Sequence, residues 1–176
     1  MKLKKGIFAF TESSSWSTSL FDCGSPELNL FLQNRLASQQ RNNVLRAYVA
    51  VTSEPEPQIA GYYTLSGASF EKSLLGNQRR RIPYANAPCI LLGRLAVDKR
   101  FAGRGLGSML VADAARRVYK VAHSVGIYAL FVQAKDERAV AFYQSLGFIE
   151  TPTEDKRRLL FYPVNALEAL LCLEQK

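Results

Sequence analysis

Histidine occurs once in the 176 residues and cysteine three times. Cys23, Cys89 and Cys172 lie far apart and form no C-x-x-C pair. With His123 as the sole imidazole, the usual zinc ligand sets cannot be assembled from this chain, so no metal is expected. An odd number of thiols in apolar or loop sequence also argues against a disulfide framework. No stretch approaches the roughly 18 uncharged apolar residues that span a bilayer. The start, Met1-Lys2-Leu3-Lys4-Lys5, leads into no apolar segment of the kind a secretory signal carries. The expectation is a soluble, cytoplasmic protein with no membrane partner. Repeats, linkers and low-complexity tracts are missing too. Acidic residues are scarce, 15 against 23 Lys and Arg, which leaves a formal charge of +8. Such an excess attracts polyanions or phosphate-rich cofactors, although a solvated surface accounts for it equally well.

What is present fits one domain over residues 1–176, because 48% hydrophobic content is enough to bury a core at this length. Residues 24–43 open with Ser25 as N-cap and Pro26 at the first helical position, and Leu28, Phe31, Leu32 and Leu36 follow at helical spacing. Arg35 and Arg41 lie on the other side of this helix, and Arg46 follows at the start of the next element. Residues 46–52 and 59–70 are aromatic and β-branched around a proline-rich turn, which predicts an antiparallel hairpin. Residues 71–87 read as an exposed loop carrying Arg79, Arg80 and Arg81, with room for a short helix at 73–76. Residues 89–97 form a nearly continuous apolar run, as expected of a central strand covered on both faces. A long helix is predicted over 106–125, a second buried strand over 128–133 and a short helix over 137–146 ended by Gly147. A closing strand at 158–162 and a terminal helix with Val164, Leu167, Leu170 and Leu171 on one side complete the chain.

The chemistry concentrates where the central strand hands over to the long helix. Gly103, Gly105 and Gly107 stand at that junction. Glycine permits left-handed torsions and puts no Cβ in the way of an anion, and the first amides of a helix lack intrahelical acceptors. A glycine turn alone is equally well a tight connection. No G-x-x-x-x-G-K-[ST] occurs, and the order of elements does not match a dinucleotide-binding fold.

Arg100-Phe101-Ala102-Gly103-Arg104-Gly105 resembles the R/Q-x-x-G-x-G/A signature of the GNAT acetyltransferases. The segment Ala139-Val140-Ala141-Phe142-Tyr143-Gln144-Ser145-Leu146-Gly147-Phe148 resembles that family's A-x-x-F-Y-x-x-x-G-F. Asp136 stands where the family commonly has asparagine. The resemblance implies an α+β GNAT fold: a central mixed, mostly antiparallel sheet with a splayed strand pair and flanking helices. It implies acetyl-coenzyme A as co-substrate, received by Leu95, Ala96 and Val97 along the pantetheine and by Arg100, Gly103, Arg104, Gly105, Leu106, Gly107 and Ser108 around the pyrophosphate. Tyr143 then protonates the departing thiolate, with Phe142 as its core neighbour; a phenol with pKa about 10 stays protonated at neutral pH.

The segments Leu20-Phe21-Asp22-Cys23-Gly24-Ser25-Pro26-Glu27-Leu28-Asn29-Leu30-Phe31-Leu32 and Gly61-Tyr62-Tyr63-Thr64-Leu65-Ser66 are similar to the tRNA-acetylating toxins of bacterial type II toxin–antitoxin modules. That likeness implies acetylation of the α-amine of aminoacyl-tRNA, a block in translation, a ribbon-helix-helix antitoxin and a homodimer. An α-amine with pKa roughly 7.7–8.0 is largely neutral in cells, unlike lysine at about 10.4, so no strong protein base is required. Arg35, Arg41, Arg46, Arg79, Arg80 and Arg81 are candidates to grip tRNA phosphates. Two rivals stay open: a GNAT enzyme acting on a small amine or a protein N-terminus, and a catalytically silent basic adaptor.

Overall fold

A computed structural model describes residues 1–53, 55–152 and 158–173. Seven strands form one mixed sheet in the order β1-β2-β3-β4-β5-β7-β6. β1 is Phe8–Ala9, β2 Arg46–Val51, β3 Ile59–Glu71, β4 Asn86–Val97, β5 Ala129–Ala134, β6 Ile149–Glu150 and β7 Arg158–Pro163. The helices are α1 Pro26–Asn34, α2 Leu36–Arg41, α3 Leu106–Val121, α4 Glu137–Ser145 and α5 Val164–Leu173. β4 runs parallel to β5, and β1–β2, β2–β3, β5–β7 and β6–β7 are antiparallel. The chain's contacts gather into two compact units, residues 1–66 with 93–114 and residues 67–92 with 115–176.

In the first unit the predicted hairpin is present, with Tyr48 opposite Tyr63 and a register shift between Ala50 and Val51. The helix predicted over 24–43 begins as expected: Pro26 sits at its start, and the Ser25 side chain accepts from the Leu28 N–H. It does not continue to 43. Arg35 takes φ −125°, ψ −30° and divides it into α1 and α2. Ser38 Oγ donates to the Arg35 carbonyl at 2.9 Å, the kind of side-chain competition that bends helices. Phe31, Leu32 and Leu36 are all buried against Val49, Ile59 and Tyr62. The Tyr62 hydroxyl donates to the Leu28 carbonyl at 2.9 Å and fixes α1 to β3.

The second unit is built on aromatic stacking. Phe131 of β5 lies 4.0 Å from Phe70 and 5.6 Å from Phe161, ring centre to ring centre. Residues 71–87 hold more than the short helix allowed at 73–76: two 3-10 segments within Lys72–Arg81 are separated by a kink at Gly76, φ 53°, the first burying Leu75 and the second carrying all three adjacent arginines. β4 is the middle strand, as expected, but several of its side chains are only half-buried, so the cover on both faces is incomplete. Its ladder with β5 runs from Cys89–Ala129 to Leu92–Val132, and β4 continues to Val97.

α3 stops at Val121, short of the predicted 125, and Val121 and Val125 are exposed. The histidine explains where it stops. His123 Nδ1 lies 2.8 Å from the Tyr119 carbonyl, and the His123 N–H turns to Lys120 instead. The α5 helix matches its expected span; the side chain of Leu170, one of its predicted apolar positions, lies outside the described residues. β1 and β6 were not foreseen, for two residues are too few to show a period.

Candidate active site

The glycine turn belongs to the first unit. Ala96 is buried while Leu95 and Val97 are half-buried, the alternation of a strand with one covered face. The Asp98 N–H donates to the Ala60 carbonyl at 2.9 Å. A 3-10 turn, Lys99–Phe101, then pins the loop through Phe101, which is buried. Gly103 and Gly105 adopt φ +72° and +78°, and a Cβ at either would meet nothing within 4 Å. Backbone conformation, not crowding, therefore selects glycine here. The space around both is open.

The N–H of Met109 reaches the Gly105 carbonyl. The amides of Leu106, Gly107 and Ser108 precede that first helical bond and have no acceptor inside α3. The first turn of α3 contains no acidic residue to neutralise its positive end. Amides without intrahelical acceptors, a helix start with no acidic residue and open glycines suit a pyrophosphate, so the residues present fit a coenzyme A phosphate group.

Arg100 is placed differently from the other expected phosphate contacts. Its Nε and Nη2 donate to the two oxygens of Asp98 at 2.9 and 2.8 Å, and Nη1 donates to Gln58 Oε1 at 2.8 Å. Its backbone N–H also donates to Asp98 Oδ1. Arg100 thus braces the loop. Asp98, only 1% exposed, further accepts the Asp22 N–H at 3.2 Å. Burial opposes the Asp98 charge, but these hydrogen bonds outweigh it and hold its pKa below the ordinary carboxylate value. Lys99 pairs with Asp22 at 2.9 Å; that contact, with the Gly24 N–H and Asn29, lowers the exposed Asp22 carboxyl to about 2. Sequence reasoning missed this carboxylate pair. The one available signal was an aspartate placed just after a buried strand and before two basic residues.

Tyr143 lies in the second unit, on α4. Asp136 caps that helix: its Oδ1 accepts the Ala139 N–H at 2.8 Å, a role that aspartate fills as well as the family's asparagine. At the other end Gly147 takes φ +95°. Its N–H donates to Gln144 and that of Phe148 to Tyr143 itself, the Schellman closure of a helix. Phe148 then packs edge-on to the Tyr143 ring at 5.5 Å, with Phe142 on another side at 5.1 Å. The spacing Tyr-x-x-x-Gly-Phe is therefore a mechanical unit.

Of the two adjacent aromatics it is Tyr143 that is buried, at 6% exposure, while Phe142, expected as the core residue, is half-buried. Tyr143 follows Val140 at i+3 on the buried face of α4. Its hydroxyl makes no hydrogen bond among the described residues, yet it is not sealed in. The fully buried unpartnered oxygen among those residues is Thr151 Oγ1. Burial raises the Tyr143 phenol above its ordinary pKa, which keeps it protonated.

The six candidate arginines separate into engaged and unengaged groups. In the first unit Arg41 pairs with Glu12, and Arg46 donates to the Gln40 carbonyl at 3.0 Å and to Asn43 Oδ1 at 2.7 Å. Arg35 is exposed without such a contact among the described residues. In the second unit Arg79, Arg80 and Arg81 are all exposed. Trp16 packs on Phe8 at 6.1 Å and serves the core, whereas Tyr84 is 73% exposed. Among the described residues no group of His, Cys, Asp and Glu could hold a metal ion, and no helix is long and apolar enough to cross a membrane.

Residues 11–148 match the acetyltransferase (GNAT) family. A protein of Mycobacterium tuberculosis called tRNA-acetylating toxin is 36% identical over 141 residues, 80% of this chain and 82% of that protein. The structure of AtaT complexed with acetyl-methionyl-tRNAfMet superposes with a TM-score of 0.88 at 42% identity, covering 94% of this chain and 98% of that one. A tyrosine-to-phenylalanine mutant of the AtaT toxin, bound to the C-terminus of the antitoxin AtaR and acetyl-CoA, gives 0.82 at 40% identity, covering 94% and 97%.

Proposed function

The chain belongs to the GNAT acetyltransferase family, and on that footing we propose that it carries the acetyl group of acetyl-coenzyme A to the α-amine of an aminoacyl-tRNA and so stops translation. The coenzyme reading rests on the glycine turn running into the first-turn amides of α3, which have no acidic residue beside them. The substrate reading rests on the 36% identity with a tRNA-acetylating toxin. Residues 1–176 act together as one acetyltransferase domain in this reading.

Acetyl-coenzyme A supplies the acyl group already activated as a thioester. The amides of Leu106, Gly107 and Ser108, with those around Gly103 and Gly105, hold its phosphates. Leu95, Ala96 and Val97 offer main-chain donors and acceptors to the pantetheine and an N–H to the oxygen that gains charge as the amine attacks, worth a few kcal/mol in acyl transfer. The amine nitrogen bonds to the acyl carbon, the carbon–sulfur bond breaks, the Tyr143 proton goes to sulfur and the surplus amine proton leaves to water. Burial raises the pKa of the Tyr143 phenol and keeps the proton in place at neutral pH, the form that a donor requires. His123 is engaged with Tyr119 and takes no part.

The relatives' complexes support an antitoxin partner for this chain as well. We assign it to the ribbon-helix-helix type and the enzyme to a homodimer on family likeness, with the cytoplasm as the place of action. Exposed Arg79, Arg80, Arg81 and Arg35 are the cations of the original six that remain open to tRNA.

The test uses labelled acetyl-coenzyme A with charged tRNA, uncharged tRNA and free amines. Charged tRNA alone should be labelled; equal labelling of uncharged tRNA would defeat the α-amine proposal, and labelling of small amines alone would favour the small-amine rival. Tyr143→Phe should fold normally and lower kcat by roughly 100-fold or more. Undiminished growth arrest on expressing that variant would favour the silent adaptor.

A further inference from the structure

Arg94 lies in β4 one residue before the main chain assigned to the thioester. Its guanidinium carbon sits 3.7 Å from the centre of the Phe31 ring. Phe31 is buried and stacks on Tyr62 at 6.4 Å and 17°, and Phe21 closes on Tyr62 edge-on at 5.7 Å. With the Tyr62 hydroxyl tied to Leu28, the layers Arg94, Phe31 and Tyr62 form a braced stack. All of these residues belong to the first unit.

No described carboxylate forms an ion pair with the guanidinium of this stack, although the Glu27 charge is felt at Tyr62. Arg100 has Asp98, Arg41 has Glu12 and Arg158 has Glu137, whereas Arg94 makes no hydrogen bond or ion pair among the described residues. Yet it is half-buried. A cation–π contact returns about 1–2 kcal/mol, less than a partly desolvated charge forfeits. With its central carbon 3.7 Å over the ring, the contact to Phe31 uses the guanidinium's face and leaves its N–H donors without an acceptor among the described residues. The guanidinium is thus pre-organised for an acceptor that the described residues do not supply.

The chemistry of the acyl acceptor narrows what that acceptor is. In an aminoacyl ester the carboxylate is consumed, so the anions nearest the α-amine are the phosphodiesters of the unpaired 3′ nucleotides. We propose that Arg94 binds a phosphodiester of the 3′ end of the aminoacyl-tRNA and so holds the acceptor strand beside β4. The proposal rests on the aminoacyl-tRNA reading above. Arginine forks bind phosphate in two-point fashion, and a stacked guanidinium gives up little freedom in doing so.

The experiment compares wild type, Arg94→Gln and Arg94→Lys on two acceptors, charged tRNA and the methyl ester of the same amino acid, which has no phosphate. Arg94→Gln should raise KM for charged tRNA roughly tenfold, as expected for loss of a charged hydrogen bond. It should also flatten the plot of log KM against log salt by about 0.7, the single-strand contribution of one phosphate contact. KM for acetyl-coenzyme A and turnover of the methyl ester should stay within about twofold by the same one-contact argument. Arg94→Lys should restore the salt slope but only part of the affinity.

An unchanged KM for charged tRNA would overturn the proposal. A rise confined to acetyl-coenzyme A would give the guanidinium to the coenzyme's phosphates, and an equal loss on the methyl ester would make Arg94 a prop for Phe31; either result refutes it. Wild-type protein that acetylates the methyl ester but never charged tRNA would sink the tRNA reading itself, and this inference with it.

Discussion

Replacing Gly147 by alanine tests how tightly the helix that carries Tyr143 is closed. At φ +95° a side chain costs roughly 1–2 kcal/mol in backbone strain. The added Cβ would also stand 3.0 Å from Tyr162 Cε2 and 3.4 Å from its hydroxyl. Crowding of that order costs typically about 1–3 kcal/mol. Gly147→Ala should therefore lose about 2–5 kcal/mol, seen as a fall in melting temperature of roughly 10 °C for a chain of this size. Denaturant titration gives the free energy, and the cycle with Tyr162→Leu separates the two causes. In the leucine background the crowding goes and the torsional strain stays, so the alanine penalty should shrink to about 1–2 kcal/mol. A penalty under about 1 kcal/mol in the native background, or one identical in both, would refute the reasoning. Because Phe148 is the next residue and packs on Tyr143, acetylation should fall even at temperatures where the variant is folded.

Asp98→Asn should lose roughly 2 kcal/mol at neutral pH by weakening the fork to Arg100, and should raise KM for acetyl-coenzyme A more than it lowers kcat. Since the folded pKa of Asp98 is depressed, its contribution is complete above the unfolded value of about 3.9 and vanishes as pH falls through the lower folded one. Wild type and variant should thus converge in acid; a stability gap that widens below pH 3 would contradict this, about a unit under the ordinary carboxylate pKa. Changing Arg79, Arg80 and Arg81 together to glutamine should reduce the salt slope of KM for charged tRNA by about 2, whereas Arg46→Gln, whose guanidinium is spent on Gln40 and Asn43, should leave the slope unchanged.

The legible parts of the fold were those governed by local rules. Ser25-Pro26 began a helix, the aromatic run at 59–70 paired with 46–52, and Gly147 ended α4. The misjudged parts turned on competition between a side chain and the backbone. The His123 ring at the Tyr119 carbonyl shortened a helix that apolar spacing alone extended, and the Arg35 torsion divided another, with Ser38 bonded to the Arg35 carbonyl beside the break. The short edge strands gave no periodic signal. At the candidate site the glycine turn and Tyr143 came from motif spacing, but spacing does not reveal partners. It named Arg100 without the Asp98 fork that holds its guanidinium, and it passed over Arg94, whose standing depends on Phe31 from a distant part of the chain.

The pairing of Arg41 with Glu12 on the surface has a bearing on how such an enzyme changes its substrate. An engaged cation is a reserve: a single substitution at Glu12 would release Arg41 and add one positive charge without touching any residue that meets tRNA. Affinity for a polyanion can in this way drift through the loss of an acid, while the fold and the acetyl-transfer residues stay as they are. Selection on tRNA preference would then leave its marks among the glutamates and aspartates as much as among the arginines.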